Sequence, residues 1–379
     1  MVNSNANALG IIFPNSYDSL VPELAGERLM ASLPFGGRYR IVDFILSSMV
    51  NCGIDNVSII VRENYHSLMD HLGSGREWDL TRKTGGLNIL PPFAEKNTKV
   101  YSGRVEALAN ILTYLKRQKE KYVVMSDANI AVNFDFKALI DAHVESGADV
   151  TIAYTEEPIP ANLIQSDSAK ELYYTLGLDG SRVRKIYMNS QEAGVQNFSM
   201  NIYVLERELL LDMIHTAYVR GLTYFERDIL ASQLCKYNVQ AYKYEGYLSR
   251  ISGMKSYFDE NMKLLADENL EALFSGSPIY TKIRDDNPTR YINGSKAKNA
   301  LVADGCVIEG EVENCILFRG VKVAKGAKVK NCILMQDTVV SQFARMEYVV
   351  TDKNVVVGEG KEIKGTDTFP VYVAKGHVV

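Results

Sequence analysis

A repeated pattern in the C-terminal third of the chain constrains its fold more than any other feature. Four five-residue strings align with one another and start 15, 17 and 17 residues apart, at Ala297, Val312, Val329 and Met346. Coils of roughly this length can bury an apolar face only by stacking on the next coil. The repeat therefore predicts a parallel β-helix. An antiparallel β-sandwich with accidental self-similarity is the alternative.

The first two-thirds of the chain alternate between strand-like and helix-like segments. Short apolar, β-branched runs, typical of strands covered on both faces, lie at Leu9–Phe13, Val57–Val61, Tyr122–Met125 and Val150–Tyr154. A helix is predicted where apolar residues recur at helical spacing, at Val105, Leu108, Leu112 and Leu115. The alternation predicts a Rossmann-like α/β domain with a doubly wound, mostly parallel sheet. Its site is expected at the carboxyl ends of the strands.

Turn-rich segments separate the two regions. Phe274–Pro278 and Asp285–Pro288 carry the Ser, Gly, Asn and Pro combinations that end helices. We therefore predict an α/β domain at residues 1–270, a linker at residues 271–294 and a β-helix at residues 295–379.

Composition excludes several classes of function. The 379 residues, 46% of them apolar, are enough for two domain cores. A formal net charge of −4 without a basic stripe argues against nucleic acid as a partner. No apolar run reaches the ~20 residues of a membrane span. The five cysteines are odd in number and widely spaced, which favours buried reduced thiols and a cytoplasmic protein.

Several motifs together resemble the glucose-1-phosphate adenylyltransferase (ADP-glucose pyrophosphorylase) family. They are Ser32–Ser48, Asp70–Leu72 followed by Trp78, Ser199–Tyr203, Phe225–Ile229 and Glu245–Tyr247. That family makes ADP-glucose and pyrophosphate from ATP and glucose 1-phosphate. The resemblance covers nearly the whole chain and implies a nucleotidyltransferase domain followed by a left-handed parallel β-helix.

The chain departs from this family where phosphate and metal would bind. The family's glycine-rich loop is replaced by Phe13–Leu20, and Asp18 adds a negative charge to that segment. By the resemblance, Leu20 stands in place of an arginine, Met30 in place of a lysine and Asn129 in place of a metal-binding aspartate. Nucleotidyl transfer needs Mg²⁺ and cations to neutralise charge on the phosphates. We therefore expect no intact set of catalytic residues.

Two other carboxylates are candidates for the lost metal ligand. Asp228 matches the family's second metal carboxylate and is a weak metal candidate, with a helix-terminal or surface carboxylate as the alternative. Asp127 lies two residues before Asn129. If both lie in one strand, their side chains are ~6.6 Å apart, so we expect no rescue by Asp127.

The remaining family positions concern small anionic ligands. Those that match nucleotide or sugar-phosphate contacts, and are expected to be vestigial, are Gly36, Gly37, Ser199 and Met200. A glycine pair is equally explained by a tight turn. Arg38 matches a basic position that contacts anionic activators in the family, and Arg40 lies beside it. Guanidinium groups suit phosphate, so both are effector candidates; a solvated arginine pair is the alternative.

The losses predict a regulatory, catalytically impaired subunit with little or no activity alone. We expect it to need no cofactor by itself, with Mg²⁺ in a catalytic paralogue, to form homo-oligomers alone and a mixed tetramer with that paralogue. A phosphorylated metabolite is the expected effector. Two alternatives remain open: an active adenylyltransferase with a rewired loop, and a homo-oligomeric sensor of sugar phosphates or nucleotides. Acyl transfer by the β-helix is not expected, because Ala297–Gly365 contains no histidine.

Overall fold

The computed structural model of the chain describes residues 6–92, 101–164, 172–192 and 194–379. The strands of the N-terminal domain are Ala8–Phe13 (β1), Pro34–Phe35 (β2), Tyr39–Arg40 (β3), Asn56–Ile60 (β4), Gly86–Leu90 (β5), Tyr122–Asp127 (β6), Ile130–Val132 (β7), Val150–Pro158 (β8), Tyr174–Asp179 (β9), Arg182–Met188 (β10), Val195–Glu206 (β11), Val239–Lys243 (β12) and Leu248–Arg250 (β13). Its helices are Pro22–Ala25 (α1), Ile41–Asn51 (α2), His66–Leu72 (α3), Arg104–Asn110 (α4), Leu112–Arg117 (α5), Phe136–Ser146 (α6), Ala161–Ile164 (α7), Arg207–Val219 (α8), Met254–Lys263 (α9) and Asp267–Phe274 (α10). Shorter helical turns are Asp18–Leu20, Met30–Ser32, Arg76–Trp78 and Ala231–Gln233, and Phe225–Leu230 is a π-helical segment.

The main sheet has nine strands in the order β5-β4-β1-β6-β11-β8-β12-β10-β9. The predicted parallel pairing is present between β5, β4, β1 and β6, and again between β8 and β12. Strand β11 runs antiparallel to both β6 and β8, which makes the sheet mixed. The carboxyl ends of β1 and β6 therefore lie side by side at one edge.

The sheet is covered on both faces, as the apolar runs predicted. Alternate residues of β1 enter two different cores: Leu9 and Ile11 pack in one, Ala8 and Ile12 in the other. The predicted strands at β1, β4, β6 and β8 are all present. The single helix predicted from Val105, Leu108, Leu112 and Leu115 is instead two helices, because α4 ends before Ile111 and α5 begins after it.

The C-terminal domain is a parallel β-helix. Its strands are Arg290–Tyr291 (β14), Lys296–Val302 (β15), Val307–Ile308 (β16), Glu311–Leu317 (β17), Lys322–Val323 (β18), Lys328–Lys330 (β19), Ile333–Leu334 (β20), Val339–Val340 (β21), Arg345–Glu347 (β22), Val349–Thr351 (β23), Val356–Val357 (β24), Glu362–Lys364 (β25) and Val371–Val373 (β26). Ala297, Val312, Val329 and Met346 are parallel register partners from coil to coil. The sequence repeat therefore predicted the register of the stack, and the β-sandwich alternative is wrong.

The β-helix begins earlier than the predicted boundary. Arg290–Tyr291 lies within the predicted linker at residues 271–294, but it pairs in parallel with Val307–Ile308 as the first rung of one β-helix face. Helix α10, Asp267–Phe274, crosses the other predicted boundary at residue 270. The start of the β-helix is set by backbone pairing between strands, and the turn residues in the sequence do not indicate that pairing.

The two domains share a hydrophobic core. Its larger members are Phe35, Phe44, Tyr257 and Phe258 from the N-terminal domain and Ile316, Phe318, Ile333, Met335 and Val350 from the β-helix. Within this contact Arg28 forms a buried ion pair with Asp352, at 2.6 Å. The β-helix is thus packed onto the α/β domain by both apolar contact and a paired charge.

The cysteines are free, as predicted, but they are not all buried. Cys306, Cys315 and Cys332 are buried in the β-helix, whereas Cys52 is partly exposed and Cys235 is exposed. The prediction of burial was wrong for the last two, which lie in the α/β domain. In the described ranges, none of the helices combines the length and apolar character required to cross a bilayer.

Candidate functional site

A cavity of about 170 Å³ opens at the carboxyl ends of β1 and β6. Its polar lining includes Ser16, Tyr17, Arg104, Asp127, Asn201 and Glu226. Asp127 is the last residue of β6. Asn201 lies at the irregularity of β11 between Ser199 and Ile202, with a left-handed φ of 55°. We call this space, at the position that the topology predicted, the strand-end cavity.

The segment that replaces the glycine-rich loop is held by its own side chains. The buried Tyr17 hydroxyl donates to the Leu172 carbonyl and accepts from Asn201 Nδ2 at 2.6 Å. Burial, followed by the charge of Asp127, raises the pKa of Tyr17. Asp18 Oδ1 accepts the backbone N–H of Met30 at 2.6 Å. The extra carboxylate thus fastens the loop to the following turn.

Arg104 lies between two buried carboxylates of this cavity. Its Nη2 donates to Asp127 Oδ1 at 2.6 Å, and its Nη1 donates to Glu226. The exposed fractions of the three side chains are 11%, 1% and 5%. The guanidinium also lies 4.7 Å from the ring centroid of Phe13. Burial lowers the pKa of Arg104, but Asp127 and Glu226 raise it well above the usual value, so Arg104 is charged.

A close approach of two backbone segments brings Arg104 and Glu226 together. A Cβ on Gly103 would lie 2.5 Å from the Thr223 carbonyl oxygen, so only glycine fits there. The next residue but one, Val105, donates its N–H to the same carbonyl. The start of α4 is therefore fixed against the segment that carries Glu226.

Asp228 organises this same segment. One of its oxygens, Oδ2, accepts the backbone N–H groups of Thr223 and Tyr224, and Arg227 donates to both oxygens. These contacts lower the pKa of Asp228 against the effect of burial, the largest single influence. Its carboxylate is engaged as a turn cap, which agrees with the structural alternative considered for it.

The residues present do not fit a divalent cation. Asp127 and Glu226 point into the strand-end cavity, but a guanidinium already bridges them. Asp228 is held by backbone and Arg227. Across the described ranges no group of three or more His, Cys, Asp or Glu side chains is arranged to hold a metal ion.

The three degenerate positions lie outside the strand-end cavity lining. Leu20 packs beside an apolar cluster, Met30 is fully buried in the interdomain core, and Asn129 is buried with its Oδ1 lacking a hydrogen-bond partner. The comparison of Asp127 with Asn129 as neighbours on one strand was wrong, because β6 ends at Asp127. Asp127, rather than Asn129, therefore supplies a side chain to the cavity.

The predicted sugar-phosphate positions are occupied by protein contacts. Met200 is fully buried in the core behind the sheet. The carbonyl of Ser199 accepts from Arg250 Nη1 at 3.2 Å, and Arg250 Nε donates to Glu157 Oε1 at 2.9 Å. The Arg250 guanidinium stacks 3.9 Å from the ring centroid of Phe198. Arg250 is thus a second buried arginine, after Arg104, that is held by protein contacts near the strand ends.

Arg38 and Arg40 line a different cavity, of about 380 Å³, between the α/β domain and the β-helix. We call it the interdomain cavity. Its cationic lining residues are Arg38, Arg40, Lys282, Arg284, Arg319 and Lys353, against one lining carboxylate, Asp70. Gly36 and Gly37, at φ of 60° and 79°, form the turn that presents Arg38 here. Gly37 faces Ile316 of the β-helix and Gly36 faces Leu264, so the structure assigns both to a turn away from the strand-end cavity.

Part of this positive charge is paired, because Lys282 lies 3.3 Å from Asp70 and Arg284 lies 3.5 Å from Asp286. Burial lowers the pKa of Arg40 to about 10. Burial, then repulsion by Arg40 and Arg28, lowers the pKa of Lys353 to about 8. Arg319 Nε makes no hydrogen bond but lies 3.7 Å from Asp286 Oδ2, whereas Arg38 forms no ion pair with any residue in the part of the chain described. Arg38 is exposed and Lys353 is half-buried. Cations that line a cavity without a paired carboxylate favour an anionic ligand.

Comparison with known families follows the same division of the chain. Nucleotidyl transferase matches residues 24–266, and the GlmU-like C-terminal hexapeptide family matches residues 283–369. The chain belongs to the nucleotidyl transferase family.

Full-length relatives of this nucleotidyl transferase family member were also found. It is 36% identical to the glycogen biosynthesis protein GlgD of Bacillus subtilis (strain 168), over 99% of this chain and 97% of the relative. It is 37% identical to GlgD of Geobacillus stearothermophilus, over 99% and 98%. It is 31% identical to the glucose-1-phosphate adenylyltransferase of Bacillus mycoides (strain KBAB4), over 79% of each chain. The resemblance inferred from the motifs is confirmed.

Sequence reasoning missed several members of both cavities. Arg104 and Glu226 are 122 residues apart and carry no local signal of their contact. Lys282, Arg319 and Lys353 are likewise isolated in sequence and meet only when the β-helix packs on the α/β domain. Gly103 was the one local clue, because a glycine before a helix can mark a close backbone approach.

Proposed function

We propose that this chain is a regulatory, catalytically impaired subunit of an ADP-glucose pyrophosphorylase in glycogen biosynthesis. It modulates a catalytic paralogue, which holds the Mg²⁺ and makes ADP-glucose and pyrophosphate from ATP and glucose 1-phosphate. The regulatory subunit itself uses no cofactor. A phosphorylated metabolite binds to the interdomain cavity and alters the response of the complex.

The contrast between the two cavities carries this proposal. In the strand-end cavity Arg104 is neutralised by Asp127 and Glu226, and Arg62, which also lines this cavity, is paired with Glu63 at 3.0 Å. In the interdomain cavity Arg38 and Lys353 are not neutralised in this way. An anion that enters the second cavity gains charge-assisted hydrogen bonds without first breaking an ion pair of Arg38.

The relatives give this proposal its biological setting. Two full-length relatives carry the name glycogen biosynthesis protein GlgD, and others carry the name glucose-1-phosphate adenylyltransferase. We extend the first name to this chain and the second to its partner. The working assembly is a mixed tetramer in the cytoplasm. The chain alone forms homo-oligomers through its β-helix.

Pyrophosphorylase kinetics with the chain alone, the paralogue alone and the two mixed test this function. We expect the chain alone to turn over at less than one-hundredth of the ~10 s⁻¹ typical of enzymes. Mixing should raise kcat/KM of the paralogue or shift its response to sugar phosphates, and native mass measurement should show the mixed tetramer. Arg38→Ala should weaken the effector response. Arg184→Ala, which breaks an exposed ion pair with Asp179, is the matched control.

Two outcomes would redirect the interpretation. Full turnover by the chain alone would establish an active adenylyltransferase and end the regulatory proposal. Separate elution, with the paralogue's kinetics unchanged at every effector concentration, would also contradict it. The latter result together with sugar-phosphate binding would favour the homo-oligomeric sensor, which the location of the interdomain cavity within one chain supports.

A further inference from the structure

We propose that Arg104 is an internal cation that takes the place of a divalent metal ion between Asp127 and Glu226 and keeps such ions out of the strand-end cavity. This inference goes beyond the proposed regulatory function. It concerns only which cation neutralises the two carboxylates, so either proposal can fail without the other.

The first argument concerns which groups contact the carboxylates of Asp127 and Glu226. Asp127 ends β6 and Glu226 belongs to the π-helical segment, and a carboxylate oxygen of each accepts a hydrogen bond from the same guanidinium. The other hydrogen bonds to Asp127 come from neutral groups, Ser16 Oγ at 2.7 Å and Asn201 Nδ2 at 2.8 Å. Arg104 therefore supplies the positive charge in direct contact with this pair.

The burial of the pair is the second argument. Two carboxylates that are nearly excluded from water must be paired, protonated or metal-bound, because burying an uncompensated charge is strongly unfavourable. Carboxylate oxygens are the ligands that Mg²⁺ and related ions take. The guanidinium fork engages these oxygens, and its charge repels a second cation. Arg104 and a metal ion are thus mutually exclusive occupants.

The position of Arg104 in its helix is an independent argument. It is the first residue of α4, where the helix dipole favours acidic side chains and disfavours cations. Its guanidinium instead lies against the rings of Phe13 and Tyr203. Local helix stability does not account for an arginine here, whereas pairing with Asp127 and Glu226 does.

Mn²⁺ binding to wild-type protein and to Arg104→Ala tests the proposal. Free Mn²⁺ is followed by electron paramagnetic resonance during a titration of the full chain. We expect no saturable binding by the wild type and one bound Mn²⁺ per chain in Arg104→Ala. The variant should have a lower Tm than the wild type in metal-free buffer. Mn²⁺ should raise the Tm of the variant only, since a ligand that binds the folded state stabilises it.

Three control variants separate this role from a general effect of losing an arginine. Arg104→Lys keeps the positive charge and should bind no Mn²⁺. Arg104→Ala combined with Glu226→Gln should lose the acquired binding. Arg250→Ala removes another buried arginine, which is paired with the single carboxylate Glu157, and should acquire no Mn²⁺ site.

The same titrations can also overturn the proposed role of Arg104. Folded Arg104→Ala that binds no Mn²⁺ would contradict the proposal, as would wild-type protein that binds Mn²⁺ with the same affinity as the variant. If Arg104→Ala is insoluble, Arg104→Gln, which keeps much of the side chain without its charge, is titrated instead. Failure of folded Arg104→Gln to bind Mn²⁺ would then overturn it.

Discussion

At the scale of single residues, the balance of charge around each cation separates the two cavities. Lys353 is the clearest case in the interdomain cavity. Burial and repulsion by Arg40 and Arg28 outweigh the attraction of Asp352, so the pKa of Lys353 falls from 10.5 to about 8. A cation held in this way destabilises the folded chain until an anion arrives. Stability does not explain a cation at this position, which is consistent with the proposed binding of an anion.

The pH dependence of unfolding tests this view of Lys353. Below pH 8 the amine is protonated in both the folded and the unfolded chain, so the full penalty is present. Between pH 8 and 10.5 the folded chain loses the proton first, and its free energy of unfolding rises by up to ~1.4 kcal/mol per pH unit. Lys353→Met should therefore be more stable than the wild type at pH 7 by ~1–3 kcal/mol. The gap should narrow above pH 8.

Urea denaturation of both proteins at pH 7, 8.5 and 10 measures that gap. A difference that stays constant with pH would show that Lys353 does not titrate in this range. Isothermal titration with inorganic phosphate at pH 7 should show weaker binding by Lys353→Met. Lys322→Met, on the solvent side of β18, is the control, because its side chain lies on an exposed strand position.

At the scale of elements, the β-helix repeats one corner with the same residue type. Asn299, Asn314 and Asn331 occupy successive coils at φ of 47°, 50° and 51°. Their side-chain amides form a ladder, with Nδ2 to Oδ1 distances of 2.9 and 3.2 Å. Asparagine tolerates this left-handed backbone better than most residues. Tyr348 continues the position at φ of 52° without an amide.

Substitutions at the middle of this ladder separate backbone strain from hydrogen bonding. Asn314→Ala loses both ladder bonds and places an unsuited residue in the left-handed region, so we expect a loss of ~1–3 kcal/mol in the free energy of unfolding. Asn314→Gly loses the bonds but not the backbone fit and should lose less. Chemical denaturation of the two variants measures the order. Equal losses would mean that backbone conformation contributes nothing at this corner.

The sequence could predict features that local or repeated patterns encode, but not contacts between single residues that are far apart in the chain. The β-helix register was predictable because Val312, Val329 and Met346 repeat the same local pattern. The buried strands were predictable because continuous apolar runs have few other solutions. The contact of Arg104 with Glu226 was not, since it depends on two loops that meet through side chains. Nor does any local pattern mark a boundary at Arg290, which depends on pairing with Val307.

At the scale of the whole molecule, one buried ion pair joins the domains. Arg28 Nη2 lies 2.7 and 2.6 Å from the two oxygens of Asp352, and Tyr372 donates to Asp352 Oδ2. The surrounding apolar core is continuous across the contact. We therefore expect the α/β domain and the β-helix to unfold in a single transition.

Breaking this pair tests that expectation. Asp352→Ala leaves Arg28 buried without a partner and should lower the free energy of unfolding by ~3–5 kcal/mol. Replacing both residues, as Arg28→Met with Asp352→Leu, should recover most of that loss. Lys375→Ala breaks an exposed interdomain pair with Glu27 and should change stability by less than ~1 kcal/mol. Differential scanning calorimetry would show two separated transitions if the domains were independent.

Because Arg104 is part of the polypeptide, the cation between its two carboxylates does not depend on which ions are available in solution. An ion that arrives from solution obeys mass action, so its occupancy follows its concentration and falls in the presence of a chelator. A guanidinium that belongs to the polypeptide is made with the chain, in a fixed ratio of one to one, and cannot be diluted away from Asp127 and Glu226. Magnesium starvation or a competing chelator would leave this contact unchanged.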